Sequence, residues 1–346
     1  MTTTLGATPL LVDGSDVVAD PARYRILTGD RPTGPLHLGH YLGTLRNRVR
    51  LQELGVETFV VVADYQVITD RARPGDVTTN VHEIILDYLA AGLDAQRTTI
   101  FAHSAVPALN QLMLPFLALT TVPELQRNPT VKSEAADAGL SSISGLLLTY
   151  PVHQAADILF CHGNLVPVGQ DQLPHIEQTR LIARRFNERF GPVFTEPQAL
   201  LSESPALLGI DGRKMSKSRG NGISLRAGED ETARLIRRAV TDAERTISYE
   251  PDRRPEVASL LLMGAMCAGT LPESLADQVG NGGAARLKQL VTEAVNEHLR
   301  PLRRRRAELA AEPGVVRSAL ATGAERANAQ ADQTLTDVQE TLGMCY

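Results

Sequence analysis

Apolar runs alternate with amphipathic stretches from residue 24 of the chain onwards. Residues 38–54 and 81–91 carry apolar side chains at helical spacing. Four short apolar or β-branched runs predict buried parallel strands, at residues 24–27, 58–63, 98–102 and 166–168. This alternation predicts an α/β fold with a Rossmann-like, doubly wound parallel sheet, in which ligands bind beyond the carboxyl ends of the strands.

Two regions lack strand signals and read as helices. Residues 107–160 form longer helical segments, which we interpret as a helical insertion between two halves of the sheet. After an amphipathic stretch at 171–189, further helices are predicted at residues 231–240, 256–266, 284–309 and 314–342. We therefore predict an N-terminal extension over 1–23, an α/β domain over 24–228 and an all-helical domain over 229–346.

Composition narrows the class of protein. The chain has 346 residues, 43% hydrophobic and 22% charged, which is ordinary for a globular protein of about two domains. A net charge of −5 gives no overall basic field, so RNA contact would depend on local patches. Cys161, Cys267 and Cys345 form no C-x-x-C, and we expect neither a disulfide framework nor a protein-held metal. Without a signal-peptide pattern or an apolar run of membrane-span length, we expect a cytoplasmic protein.

The stretch from Gly29 to His40, GDRPTGPLHLGH, follows the first predicted strand and opens a helix. Its glycines allow the backbone to approach a ligand, and the helix N-terminus offers N–H groups to an anion. His37 and His40 beside them suit a polyphosphate that gains negative charge during a reaction. Histidines at this spacing also serve as helix caps or metal ligands, so H-x-G-H alone leaves the function open.

A second stretch, Lys214 to Ser218 with sequence KMSKS, lies in a predicted loop over residues 212–220. Most lysine-containing loops are simply solvated. HLGH after a first strand and KMSKS after a later one, in this order, resemble the paired signatures of class I aminoacyl-tRNA synthetases. The pair is much more specific than the two histidines.

A third segment, residues 149–159, bears on the substrate. Pro151 suits a first helical turn, and Tyr150, Gln154 and Asp157 then share one helix face. A carboxylate in so apolar a stretch is costly unless it binds a donor, and an indole N–H is a donor-only group. The alternative is a polar residue satisfied within the protein.

The blocks Y-P-x-x-Q-A-A-D-I at 150–158 and L-V-P-V-G-x-D-Q at 165–172 closely resemble the tryptophanyl-tRNA synthetase family, and the resemblance extends over the whole chain. It implies that L-tryptophan is activated by ATP with Mg²⁺ to the adenylate, releasing pyrophosphate. The tryptophanyl group then passes to the terminal adenosine of its tRNA. It also implies a homodimer without DNA or membrane partners, a catalytic domain over 24–228, and a tRNA anticodon-binding domain over 229–346.

Carried over residue by residue, the resemblance implies that Asp157 accepts the indole N–H. Tyr150 and Gln172 would hold the substrate ammonium group. The remaining implied tryptophan-binding residues are Leu27, Gln66, Gln154, Val166 and Val168.

For ATP, the resemblance implies that Asp171 binds the ribose hydroxyls, Gly169 permits close approach and Met215 covers the adenine. The full implied ATP-binding set is Arg31, Pro32, Thr33, Gly39, His40, Gly169, Gln170, Asp171, Leu208, Lys214, Met215, Ser216, Lys217 and Ser218. The residues implied to be catalytic are His37, His40, Lys132, Lys214 and Lys217, with the lysines neutralising the triphosphate.

Two positions depart from the family pattern. Gln66 stands where many members carry a histidine, and His153 stands where a smaller or apolar residue is expected. Both lie near the implied tryptophan site, so they could alter the binding of tryptophan-like inhibitors.

Three other functions fit parts of the pattern. A tyrosyl-tRNA synthetase shares the fold and signatures but would need polar partners for a phenol, which Leu27, Val166 and Val168 do not offer. A related adenylyltransferase uses H-x-G-H without KMSKS or a helical C-terminus. A catalytically silent paralogue that binds RNA or regulates would not need the intact histidines and lysines.

Overall fold

The structure is a computed structural model that describes residues 10–69, 73–137, 139, 142–201, 207–217 and 219–346. Among these, five parallel strands form one sheet in the order β3-β2-β1-β4-β5. The strands are β1 Arg25–Asp30, β2 Glu57–Val62, β3 Thr98–Ala102, β4 Leu165–Val168 and β5 Gln198–Leu201. The predicted doubly wound parallel sheet is confirmed.

The order of the strands places a crevice at the centre of the sheet. β1 pairs with β2 over its whole length, from Arg25 opposite Glu57 to Asp30 opposite Val62. On its other side β1 pairs with β4, at Ile26 and Leu165. The chain reverses its winding direction between these two neighbours of β1. In open α/β sheets ligands bind at this switch point, outside the carboxyl ends of the strands.

Helices cover both faces of the sheet. A π-helical turn, Tyr41–Leu45, joins the second and third helices. In chain order the helices are α1 Gly14–Ala19, α2 Leu38–His40, α3 Arg46–Glu53, α4 Val77–Ala91, α5 Ala108–Leu117, α6 Val122–Arg127, α7 Pro129–Asp137, α8 Gly145–Leu159, α9 Leu173–Arg189, α10 Glu229–Arg238, α11 Pro255–Ala268, α12 Pro272–Val279, α13 Gly283–Ala311 and α14 Val315–Thr341. The predicted helical C-terminal region is confirmed.

Three sequence expectations differ from the structure. Pro151 was placed in a first helical turn, which is wrong: α8 begins earlier, at Gly145, and Ser144 accepts the Leu147 N–H as its N-cap. α9 begins at Leu173, after a 3₁₀ turn over Gln170–Gln172, rather than at Asp171. The short elements β5 and α12 were missed because four to eight residues give little periodicity.

The apolar core continues from the sheet into the C-terminal helices. Val60 of β2 belongs to a cluster that includes Val291 and Leu299 of α13, whereas Phe59 belongs to a second cluster on the opposite face. α14 packs against β3 so closely that a Cβ at Gly323 would lie 1.7 Å from the carbonyl oxygen of Ile100. The sheet and the helices after residue 228 therefore share their packing, and the predicted division into domains stays a prediction.

Within the described chain, no single helix has the length and apolar character of a membrane span. α11 taken together with Pro272–Ala311 reaches that length and composition, but the two parts are bent by 108°.

Candidate active site

The H-x-G-H stretch lies directly after β1, at the carboxyl end of the sheet. His37 precedes α2 in extended conformation, and its backbone N–H donates to Nδ1 of His40 over 3.2 Å. The two imidazole rings lie 3.7 Å apart. Burial lowers the pKa of His37 to about 4 and that of His40 to about 3. Both rings are therefore neutral near pH 7, and each can donate one N–H hydrogen bond.

The KMSKS stretch and the chain that follows it lie against these histidines. Leu38 donates its backbone N–H to Ile223 over 2.8 Å, and Leu225 donates to Leu36 over 3.0 Å. Gly39 is close to Met215: a Cβ there would lie 3.2 Å from the methionine sulfur. Two segments that are nearly 180 residues apart in the sequence thus form one site.

Lys217 brings a cation to this site. Its ammonium group donates to the carbonyl oxygen of Arg31 over 3.1 Å. Burial lowers the pKa of Lys217, and the nearby Asp30 carboxylate opposes that shift. The implied catalytic residues His37, His40 and Lys217 are therefore brought together by the structure, beside Arg31.

A buried ion pair between Asp30 and Arg48 lies next to the histidines and Lys217. Arg48 is 3% exposed and donates to Asp30 over 2.6 Å, to Thr28 over 3.0 Å and to the Gly29 carbonyl over 3.1 Å. Tyr88 also donates to Asp30, over 2.6 Å. Burial would raise the pKa of Asp30, but Arg48 and Lys217 together lower it well below its usual range. Asp30 is therefore a fixed negative charge under the histidines and Lys217.

Asn221 shapes the KMSKS loop and was not found from the sequence. Its side chain is buried; it accepts the Ser216 N–H over 2.9 Å and donates to Asp211 over 2.7 Å and to the Lys214 carbonyl over 3.2 Å. The loop turns at Gly212 and Gly220, whose φ angles of 77° and 61° favour glycine.

The other implied ATP residues are less tightly gathered. Lys132 on α7 and Lys214 have exposed side chains, as do Gln170 and Asp171. Gly169 approaches Asp171 closely, since a Cβ would lie 2.8 Å from its carboxylate. Pro32 and Met215 are buried and Thr33 is half-buried. Arg31 pairs with Glu134 over 3.1 Å. Leu208 forms an isolated β-bridge with Lys214. Ser218 lies outside the described residues.

The residues implied to bind tryptophan lie mainly on α8, β1 and β4. Leu27, Val166 and Val168 are buried apolar side chains, and Asp157 on α8 is 4% exposed. Burial raises the pKa of Asp157 well above its ordinary value, and the charge of Asp64 raises it further. Among the described residues, Asp157 Oδ1 is buried without a hydrogen-bond partner. A buried acceptor of this kind is satisfied by a ligand that donates a hydrogen bond.

One end of the pocket holds a hydrogen-bonded chain of three residues. The Tyr150 hydroxyl lies 3.0 Å from Nε2 of His175, and Nδ1 of His175 lies 3.2 Å from Nδ2 of Asn128. Asn128 Oδ1 accepts the Thr130 N–H over 3.0 Å, so its amide donates to His175. His175 therefore keeps its proton on Nε2 and donates it to Tyr150. Gln172 is half-buried nearby in sequence and donates to Asp171 over 3.1 Å.

A second polar group lies on the other side of Asp157. His103 Nε2 is 3.3 Å from Asp157 Oδ1, and the rings of His103 and His153 are 4.0 Å apart. Gln66 Nε2 lies 3.2 Å from Nδ1 of His153. The two departures from the family pattern are therefore in contact with each other. Gln154, which precedes Ala155 on α8, is half-buried.

Sequence reasoning missed His103, Asn128, His175 and the Asp30–Arg48 pair. His103 follows β3 directly, so the rule that ligands bind at strand ends could have identified it. His175 lies three residues after Gln172, a spacing that places both on one side of a helix. Nothing in the sequence joins Asp30 to Arg48, because that contact depends on how α3 packs on β1.

This sheet order, with a histidine pair after the first strand and a KMSKS loop packed on it, defines the catalytic domain of a class I aminoacyl-tRNA synthetase. The sequence model of the family described as "tRNA synthetases class I (W and Y)" matches residues 20–300. The chain belongs to this family.

Individual relatives match over nearly the whole length. A tryptophan–tRNA ligase of Treponema pallidum is 42% identical over 329 residues, which cover 92% of this chain and 97% of the relative. A tryptophanyl-tRNA synthetase of Campylobacter jejuni, solved with ADP and tryptophan, is 30% identical with a TM-score of 0.79, covering 92% of this chain and 99% of that one. The Mycoplasma pneumoniae enzyme gives 30% identity, a TM-score of 0.80, and coverage of 93% and 98%.

Proposed function

We propose that this chain is a tryptophan–tRNA ligase. It activates L-tryptophan with ATP to tryptophanyl-adenylate and pyrophosphate, and then transfers the tryptophanyl group to the 3′-terminal adenosine of its tRNA. The relatives that match over more than nine tenths of the chain are named for this activity. The fold and the contact between the H-x-G-H and KMSKS stretches support the part of the proposal that concerns ATP.

The observation that carries the choice of amino acid is the Asp157 carboxylate. It is buried, its Oδ1 atom has no hydrogen-bond partner in the described structure, and the implied wall residues Leu27, Val166 and Val168 are buried and apolar. An indole matches this arrangement, because it combines a large apolar ring with a single N–H donor. A phenol O–H could also donate to Asp157, so the choice between the two rings rests on the apolar wall and on the relatives named for tryptophan.

The activation step needs no protein nucleophile. The carboxylate of tryptophan attacks the α-phosphorus of ATP, and pyrophosphate leaves. The neutral His37 and His40 donate N–H groups to the phosphates, and Lys217 neutralises charge that develops on the leaving group. Lys132 and Lys214 on exposed segments join Lys217 when ATP is bound. Asp157 and the apolar wall hold the amino acid so that its carboxylate meets the phosphorus.

Magnesium enters this proposal with ATP. Within the described chain, no group of three or more His, Cys, Asp or Glu side chains could hold a metal ion. Phosphate oxygens and water are the ligands that Mg²⁺ prefers in nucleotide sites, and there it shares the phosphate charge. The residues present suit a metal that is carried by the nucleotide.

The remaining partners are also part of the proposal. The helices after residue 228 bind the anticodon arm of the tRNA, and the enzyme acts in the cytoplasm. It forms a homodimer through the helical insertion, where the large apolar side chains of Leu114 and Val122 are exposed. Sedimentation velocity would test the dimer: Leu114→Glu should give a monomer, and a dimer that survives this change would place the interface elsewhere.

Amino-acid-dependent ATP–pyrophosphate exchange tests the function. We expect exchange with tryptophan and none with tyrosine or phenylalanine. Asp157→Asn should lose most of the exchange, because the amide has one uncharged acceptor oxygen where the carboxylate has two charged ones. The matched control is Asp277→Asn, an exposed aspartate on α12 that should keep full activity.

Other results would point elsewhere. Exchange with tyrosine would keep the fold and overturn the assignment of the pocket. No exchange with any of the three, in a protein that still binds tRNA, would indicate a non-catalytic relative.

A further inference from the structure

We propose that His103 is a positioning residue for tryptophan selection, which holds the Asp157 carboxylate for the indole N–H. This inference rests on the proposed function. It concerns a residue that neither signature stretch contains. The group around it comprises His103, His153, Gln66 and Asp157, and we call it the imidazole cluster.

The backbone places His103 firmly. It is the first residue of a 3₁₀ turn, His103–Ala105, directly after β3, and its side chain is completely buried. The next residue, Ser104, donates its backbone N–H to Asp64 over 2.9 Å, and its hydroxyl also contacts that carboxylate. The ring of Tyr65 packs edge-on against His103 at 5.5 Å. The imidazole is therefore held at the edge of the pocket by the ends of two neighbouring strands.

The polar atoms of the imidazole cluster are poorly satisfied within the protein. Five of them are buried without a hydrogen-bond partner among the described residues: Gln66 Oε1, both ring nitrogens of His103, His153 Nε2 and Asp157 Oδ1. Buried polar groups in native proteins are rarely left unpaired, and such a concentration is typical of a site that a ligand completes.

The chemistry of the contact is directional. Burial and the neighbouring His153 lower the pKa of His103 to about 3, so its ring is neutral and one nitrogen carries a proton. Nε2 lies 3.3 Å from Asp157 Oδ1, in contact but without the alignment of a formed hydrogen bond. Catalytic hydrogen bonds often tighten only when the substrate binds. Donation from His103 to Oδ1 favours the ionised carboxylate against the burial that raises the pKa of Asp157, and Oδ1 keeps a second lone pair for the indole N–H.

His103 is the member of the cluster that acts on Asp157. The rings of His153 and His103 lie 4.0 Å apart and are tilted by 45°. On its other contact, His153 Nδ1 lies 3.2 Å from Nε2 of Gln66. Neither of these two side chains has a polar contact with Asp157 in the described structure. Gln66 and His153 therefore fix the orientation of the His103 ring, and His103 in turn fixes the Asp157 carboxylate.

The test compares two substrates that differ only at the ring donor. Tryptophan has the N–H, and β-(3-benzothienyl)alanine has sulfur in its place. His103→Ala and His103→Leu both remove the donor, and we expect each to lower kcat/KM for tryptophan about 10-fold, mainly through KM. The same variants should change kcat/KM for the sulfur analogue less than about 3-fold. His103→Gln, which keeps a side-chain N–H donor, should restore most of the preference for tryptophan.

The controls separate this inference from the proposed function. His82→Ala, at an exposed histidine on α4, should leave both substrates unchanged. Equal losses for the two substrates, or no loss for either, would overturn the role of His103. Wild-type protein without tryptophan-dependent exchange would instead overturn the proposed function. An Asp157→Asn variant that keeps full preference for tryptophan would overturn the carboxylate on which His103 acts.

Discussion

Replacing Arg48 by methionine should lower the free energy of unfolding by about 3–5 kcal/mol, because it leaves the Asp30 charge buried without its partner. Arg48 is 3% exposed and makes three hydrogen bonds, to Asp30, Thr28 and the Gly29 carbonyl. Methionine fills much of the same space, so the loss measures charge and hydrogen bonding more than volume. The Tyr88 hydroxyl, Lys217 and His40 would remain near the carboxylate, without the hydrogen bonds that Arg48 makes with its surroundings.

The assay is urea-induced unfolding followed by far-UV circular dichroism. The matched control is Arg304→Met, since the side chain of Arg304 is 82% exposed and lies 3.7 Å from Glu308. An exposed pair of this kind contributes about 0–1 kcal/mol. Adding Asp30→Asn to Arg48→Met should recover part of the loss, because the uncompensated charge is then removed. If Arg48→Met costs no more than Arg304→Met, the account of a buried charge under the histidines is wrong.

Three further predictions follow from the packing and the buried polar groups. Gly323→Ala should lower the free energy of unfolding by about 3 kcal/mol or more, because its Cβ would lie 1.7 Å from the Ile100 carbonyl oxygen and must push α14 away from β3. The control is Gly145→Ala, whose Cβ would have no atom within 4 Å. Equal melting temperatures for the two variants would contradict the packing of α14 on β3. Gln66→His should change the inhibition constant of an indole-based competitor more than the KM of tryptophan, because Gln66 contacts His153 beside the implied tryptophan site but not Asp157, the residue proposed to bind the indole of tryptophan; equal shifts would refute it. Lowering the pH from about 6.5 to about 4 should reduce the free energy of unfolding by about 1.4 kcal/mol per pH unit for each buried histidine. The reason is that the unfolded chain takes up protons in this range, whereas the folded chain does not. Urea midpoints that stay constant or rise as the pH falls would contradict this prediction. The histidines concerned are His37, His40, His103, His153 and His175, whose pKa values are lowered to about 3 or 4.

The parallel sheet could be predicted because strands that are buried on both faces appear in the sequence as continuous apolar or β-branched runs. Residues 58–62 are apolar or β-branched without interruption, and the β2 strand is buried over that run. The doubly wound arrangement also followed from the alternation of strands with helices, but the order of the strands did not. Short elements such as β5 could not be predicted, since four residues at one edge of a sheet leave no period to detect.

The site was predictable where chemistry is local in the sequence. Histidines and lysines within GDRPTGPLHLGH and KMSKS were found, and the structure brings His37, His40 and Lys217 together. Polar groups that act across the fold were missed, as Arg48 and His103 show. Their partners Asp30 and Asp157 are 18 and 54 residues away, and only the packing of α3 on β1 and of α8 beside β3 joins them.

The helix around Tyr150 shows where local reasoning failed. Proline is common in a first turn, and that rule placed the start of α8 near Pro151. The helix begins six residues earlier, at Gly145, because Ser144 supplies a cap and Leu147 and Tyr150 are buried between the cap and Pro151. The shared face of Tyr150 and Asp157 was nevertheless inferred correctly, since it depends on helical spacing and not on the first residue of the helix.

Aminoacylation of tRNA follows both proposed steps of the reaction in one assay. Purified protein would be incubated with ATP, Mg²⁺, labelled tryptophan and a transcript of tryptophan tRNA, with tyrosine tRNA and labelled tyrosine as the matched control. The account predicts that label from tryptophan accumulates on tryptophan tRNA alone and is lost when Asp157 is replaced by asparagine. Charging of tyrosine tRNA with tyrosine, or adenylate formation without transfer to either tRNA, would contradict it.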